Sequence, residues 1–176
     1  MEREGRPPGV VRHLLAILTL PAVVVIVVPA AILARADADL EPAPLTLAGG
    51  LLFAAGLVLW AVTVVLLARI GRGTLAPWDP TRRLVVVGPY RRVRNPMITG
   101  VLAMLIGEAA FFESVGILIW AGIFFLLNAA WFVAVEEPGL RSRFGEEYAE
   151  YARTTPRWIP RLGGGRRRTR GDLRTR

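Results

Sequence analysis

The feature that most constrains this chain is a set of long runs without a single charged residue. Leu14 to Leu33 is 20 such residues, Leu45 to Ala68 is 24 and Val115 to Val135 is 21. As helices, each is long enough to cross a hydrocarbon core of roughly 30 Å. Met97 to Phe112 adds a shorter apolar run of 16 residues, interrupted by Glu108. Backbone placed in lipid must satisfy its own hydrogen bonds, so runs of this kind become helices. The sequence therefore predicts an all-α integral membrane protein with about four transmembrane helices. The last two form a C-terminal helical hairpin closed at Glu113 and Ser114, followed by a cytoplasmic amphipathic helix. For the first run a cleaved signal peptide is the rival reading, helped by the Ala-x-Ala at Ala34 to Ala36. The length of the run favours an uncleaved span.

Charge sets the orientation. The stretch Arg69 to Asn95 holds seven arginines against one acid, Asp79, whereas the segment after the first run carries Asp37, Asp39 and Glu41. By the positive-inside rule, both termini and the basic stretch face the cytoplasm, with the inner membrane as the expected location. The net charge of +8 is carried by arginines that flank apolar runs and crowd the C-terminal tail. Membrane lipids are thus the expected partners and nucleic acid is not. The chain has no cysteine and one histidine, His13. Disulfides, thiolate metal sites and cysteine nucleophiles are excluded, and no metal is expected.

Two polar features stand out between the runs. Gly88 to Gly100 reads G-P-Y-R-R-V-R-N-P-M-I-T-G, in which Asn95 is a favoured N-cap and Pro96 suits the first helical turn. A helix starting there offers free N–H groups to an anionic or polar ligand group; an ordinary basic loop is the plainer reading. Glu136-Glu137-Pro138 places two carboxylates at the end of an apolar helix, where the helix dipole disfavours them. They are either solvated past the helix end or matched by a partner, the arginines before the third span or a cationic ligand. Glu108 is a functional intramembrane carboxylate or one that reaches the far interface. Leu84 to Val87 is too short to span and lies in the interface or lines a pocket mouth. Gly49, Gly50 and Gly56, with Gly107, Gly116 and Gly122, are small residues at which helices can approach. Leu140, Phe144, Tyr148 and Tyr151 make an apolar stripe on a helix lying on the membrane or capping the bundle. Arg157 and Arg161 flank an interfacial Trp158, and the tail beyond is disordered in this reading.

The set G-P-Y-R-R-V-R-N-P-M (Gly88 to Met97), E-E-P-G-L (Glu136 to Leu140) and R-F-G-E-E-Y-A-E-Y (Arg143 to Tyr151) resembles the isoprenylcysteine carboxyl methyltransferase family and the related phospholipid N-methyltransferases. The resemblance implies an integral membrane methyltransferase that uses S-adenosyl-L-methionine. It divides the chain into a two-span region (1–74), a methyltransferase core (75–161) and a basic tail (162–176). The family pattern places cofactor contacts at Arg82, Arg83, Leu84, Val85, Tyr90, Arg94, Asn95, Pro96, Met97, Ile98, Glu136 and Glu137. The glutamates would oppose the cofactor's cationic end. Its carboxylate would take N–H groups at Asn95 to Ile98 or pair with Arg94.

Three positions depart from the carboxyl methyltransferase pattern. Asn95 replaces a histidine, as in the phospholipid branch, and Ile98 replaces a tyrosine. Phe132 stands where that family carries an arginine linked to its substrate. The implied reaction is direct methyl transfer to a lipophilic acceptor, an isoprenylcysteine-like carboxylate or another lipid or small-molecule group, with no catalytic base assigned. A phospholipid amine is the alternative acceptor. A non-catalytic membrane protein binding anionic lipid or a partner is the alternative outside enzymology, and a small transporter is a weaker one.

Overall fold

The computed structural model describes residues 19–35, 44–71 and 83–160. These are helical or irregular, with no strand among the described residues. In chain order they form α1 (Thr19–Leu33), α2 (Pro44–Ile70), a 3₁₀ turn (Gly88–Arg91), α3 (Pro96–Phe111), α4 (Val115–Trp131) and α5 (Glu137–Thr154). A π-helical turn, Phe132–Glu136, joins α4 to α5. Leu45–Ile70 and the apolar part of Val115–Thr154 are long and apolar enough to cross a membrane, and α1 and α3 are shorter apolar helices. Leu47, Leu51 and Val58 on α2 and Leu118, Leu126 and Leu127 on α4 are exposed, a coat suited to lipid and not to water.

The glycines of α2 fit those of α3. A Cβ added at Gly49 would lie 2.6 Å from the Gly107 carbonyl, and one at Gly56 would lie 2.7 Å from the Gly100 carbonyl. The reverse contacts are equally close: Gly107 meets Gly49 and Phe53, and Gly100 meets Gly56 and Trp60. Residue numbers fall on one helix as they rise on the other, so α2 and α3 run antiparallel. Their backbones touch where side chains are missing. Gly116 gives the same access to Ile32 of α1. Gly122 is a correction, since a Cβ there would meet nothing within 4 Å.

Prolines explain the two places where helical winding changes. Each π turn, Val23–Val27 and Phe132–Glu136, ends two residues before a proline, Pro29 or Pro138. A proline donates no N–H, and its ring presses on the carbonyl four residues back; the wider turn relieves that clash. In α1 the change leaves the Val24 carbonyl available to the Trp120 indole N–H of α4 at 3.0 Å. Val25 then joins Val101, Met104, Leu105, Ala121 and Phe124 in the core between α1, α3 and α4.

The amphipathic helix expected after the last apolar run is broken. Gly145 sits at φ 51°, ψ −124°, an arrangement that glycine adopts without a Cβ clash. Leu140 and Phe144 are only half-buried before the break, while Tyr148 and Tyr151 are buried after it. The tyrosine half of α5 therefore packs onto the protein. His13, residues 14–18, the acids of 37–41, Arg82, Arg161 and the tail 162–176 lie outside the described residues.

Candidate functional site

The start of α3 is built as the sequence predicts. Asn95 is the N-cap: its side-chain oxygen accepts the Ile98 N–H at 3.4 Å and its carbonyl accepts the Thr99 N–H at 3.2 Å. Pro96 follows at the first helical position and has no N–H to satisfy. Among the described residues this leaves the Met97 amide as the first-turn donor without a partner. The cap is tied to the far end of the chain. Arg94 N–H donates to the Pro156 carbonyl at 2.8 Å, and Asn95 N–H donates to the Arg157 carbonyl at 3.2 Å.

Side chains reinforce the same junction. Glu137, almost wholly buried, accepts from Arg94 Nη1 at 2.7 Å and from Arg157 Nε and Nη2 at 2.8 and 3.0 Å. The Arg157 hydrogen bond, followed by the charge of Arg94, holds its carboxyl below the usual range against the opposing effect of burial. Tyr148, fully buried, stands 3.5 Å from Arg94 Nη1. Tyr151 donates its hydroxyl to the Tyr90 carbonyl at 2.6 Å and so fixes the 3₁₀ turn ahead of α3.

Glu136 differs from its neighbour although one peptide bond separates them. It is exposed and accepts no hydrogen bond among the described residues. It is the first residue past the apolar run that ends at Val135, and the protein packed around it raises its carboxyl above the usual range by desolvation. Arg143 opposes that rise and Glu137 adds to it. Its charge is felt by Tyr90, whose phenol is pushed up first by burial and then by Glu136, so the hydroxyl stays protonated and can donate. The turn and the helix end thus present an open carboxylate, a buried phenol and an unclaimed amide at one end of the bundle.

The other residues expected at a cofactor site fall into place around this group or away from it. Arg82 lies outside the described residues. Arg83 is exposed and donates its N–H to the Gly71 carbonyl at 3.2 Å. Leu84 is half-buried, Val85 is 5% exposed, and Met97 and Ile98 are half-buried. Two of these residues are engaged by the protein itself. Glu137 is not open to a ligand, because two arginines surround it. Arg94 is not a free cation for a ligand carboxylate, because its charge is engaged by Glu137. Phe132 is 2% exposed, with its ring 5.5 Å from that of Trp158, which also meets Phe125 edge-on at 5.3 Å. Trp158, read as interfacial, packs over α4 where the related family has its arginine.

Sequence reasoning missed Arg157, Tyr148 and Tyr151 as parts of this end. The tyrosines were read only as part of a stripe on a helix lying on the membrane or capping the bundle, and no local pattern marks Arg157 as the partner of a glutamate 20 residues before it.

The chain is 36% identical over 101 residues to the cobalt-zinc-cadmium resistance protein CzcN of Cupriavidus metallidurans, an alignment covering 56% of this chain and 46% of that protein. It is 35% identical over 103 residues to the nickel-cobalt-cadmium resistance protein NccN of Alcaligenes xylosoxydans xylosoxydans, covering 56% and 47%. The matched region spans about half the length of either relative. No solved structure matches the chain. Residues 45–147 match the phospholipid methyltransferase family, from the start of α2 past the break in α5. With more than half of its length inside that match, the chain belongs to the phospholipid methyltransferase family.

Proposed function

We propose that the protein is an S-adenosyl-L-methionine-dependent membrane methyltransferase that methylates a lipophilic acceptor. The observation that carries this reading is Glu136: an open carboxylate in a crowded setting, beside Tyr90 and at the same end as the head of α3. When bound, S-adenosyl-L-methionine supplies a methyl group activated on a sulfonium and a cationic amino-acid end. Glu136 is the group suited to oppose that positive charge. The Met97 N–H and the positive end of α3 suit the cofactor's carboxylate. Tyr90 offers a donor fixed by Tyr151, and Val85 with Ile98 gives the site apolar wall from which water is excluded. Methyl transfer from an activated donor depends mainly on alignment, and the residues clamped around Glu137 hold these groups in place. No residue is assigned as a base.

In this proposal four helices cross the inner membrane, and the end carrying Arg94 and Glu136 faces the cytoplasm, as the arginine distribution supports. The apolar surroundings of Phe132 and Trp158 favour an acceptor without a carboxylate at that position, a phospholipid amine among them. The relatives' names tie those proteins to resistance to cobalt, nickel, zinc and cadmium. For this chain, the proposed part in such a setting is methylation of a membrane component.

The test is thermal denaturation of the full chain in detergent with S-adenosylhomocysteine. Wild type is expected to melt higher, and Glu136→Gln to lose that shift while melting without ligand at or above the wild-type temperature. A folded wild type that shows no shift overturns the reading; an unchanged shift in Glu136→Gln removes this residue from the site. Labelled methyl transfer into a membrane lipid extract then identifies the acceptor.

A further inference from the structure

A cleft of about 300 Å³ opens beside the Glu137 junction, lined by Arg94, Arg141, Arg153 and Arg157 with Glu146 and two alanines of α5. Four guanidinium groups and one carboxylate line it, and Glu137 behind the wall already pairs with two of the four, Arg94 and Arg157. The wall is graded in depth. The Arg94 side chain is 9% exposed, that of Arg157 is 43% and that of Arg153 is 65%. Arg94 keeps unused donor capacity, since its buried Nε–H finds no acceptor. Arg141 makes no ion pair among the described residues, and the pairs of Arg153 with Glu146 and Glu150 are exposed ones that solvent screens. Tyr90, Asn95 and Glu136 do not line the cleft.

We propose that this cleft is a second binding site, specific for a phosphate-type oxyanion. A planar guanidinium matches the paired oxygens of phosphate, and several converging on one cavity form the arrangement such groups favour. The ligand is a phospholipid headgroup or a free phosphate, which share this chemistry. Arg141 and Arg153 receive the anion at the rim; below them Arg94, whose charge Glu137 matches, has only its unpartnered Nε–H left to offer. Because Arg94 also holds Glu137 and stands just before α3, an occupied cleft is coupled to the head of that helix. The site stands independently of the methyltransferase reading.

The experiment uses the full chain in nanodiscs of phosphatidylcholine, alone or with phosphatidylglycerol. Inorganic phosphate is titrated into the first, with melting temperature as readout; native mass spectrometry counts phosphatidylglycerol retained from the second. The test variant is Arg141→Gln with Arg153→Gln, exposed residues that leave the Glu137 clamp intact. The control is Arg166→Gln with Arg167→Gln and Arg168→Gln in the tail. Wild type and the tail control are expected to bind at least one probe, and the test variant to bind it roughly tenfold more weakly or worse. A response to phosphate without retained lipid identifies the source as a free anion. Retained lipid without a phosphate response identifies it as a headgroup. The proposal is overturned if neither probe binds wild type, if the test variant matches wild type, or if only the tail control loses binding.

Discussion

The seam between α2 and α3 and the junction around Glu137 both bring distant parts of the chain into close contact, by opposite means. At the seam, Gly49 meets Gly107 and Gly56 meets Gly100 because side chains are absent and backbone touches backbone. At the junction, Arg94, Glu137 and Arg157 meet through charge, with two backbone hydrogen bonds beside them. The seam depends on shape and is indifferent to pH. The junction depends on protonation. In a membrane protein the two mechanisms suit their places, since lipid offers no hydrophobic force between helices and the aqueous end offers counter-charges.

The comparison is broken most severely by filling the seam. Gly100→Leu puts a side chain where even a Cβ would lie 2.9 Å from Gly56 and Trp60 backbone atoms. It is expected to destabilise by about 3 kcal/mol or more, read as a large fall in melting temperature at every pH. Glu137→Ala comes next. It leaves Arg94, 9% exposed, with no partner for its charge, while Arg157, at 43%, is partly rescued by solvent. The expected loss is about 2 kcal/mol, below that for a fully buried pair.

Titration sharpens the contrast between the two glutamates. Glu137 has a lowered folded pKa, so its contribution is full above the ordinary carboxyl value near 4.3. That contribution is lost as pH falls from there through the lowered value. Glu136 has a raised folded pKa and acts with the opposite sign: stability declines as pH rises from the ordinary value through the raised one. Melting curves across the acid range should therefore lose one slope in Glu137→Gln and the other in Glu136→Gln. The smallest effect is reserved for a glycine outside the seam. Gly122→Ala should leave stability unchanged or raise it by about 0.5 kcal/mol, because nothing occupies the space and alanine is the better helix former. A loss as large as that of Gly100→Leu would mean the seam is not what makes glycine necessary.

Much of the fold was legible because the signals were local. Charge-free length marked the helices, and Asn95-Pro96 marked the start of α3 by the chemistry of its cap. Gly49 and Gly56 could be read as contact points, although the partner of Gly56, Gly100, was seen only as the end of a polar stretch. What stayed hidden is spatial. Adjacent glutamates look alike in a sequence, yet neighbouring side chains on a helix diverge by about 100°. The winding also changes at this point, from the π turn that ends at Glu136 to the α-helix that begins at Glu137, and Glu136 opens while Glu137 is enclosed. The bond from Tyr151 to Tyr90 spans 61 residues and leaves no periodic trace. Gly145 could have been read as a break, because an isolated glycine inside a helical pattern lowers the case for continuity.

The backbone bonds from Arg94 to Pro156 and from Asn95 to Arg157 have a consequence for biogenesis. A ribosome delivers α3 some sixty residues before its partners at Pro156 and Arg157. During that interval the apolar helices can enter the bilayer and zip along their glycines, while the head of α3 waits without its clasp. Assembly thus proceeds from the lipid outward, and the end that carries Glu136 is finished last.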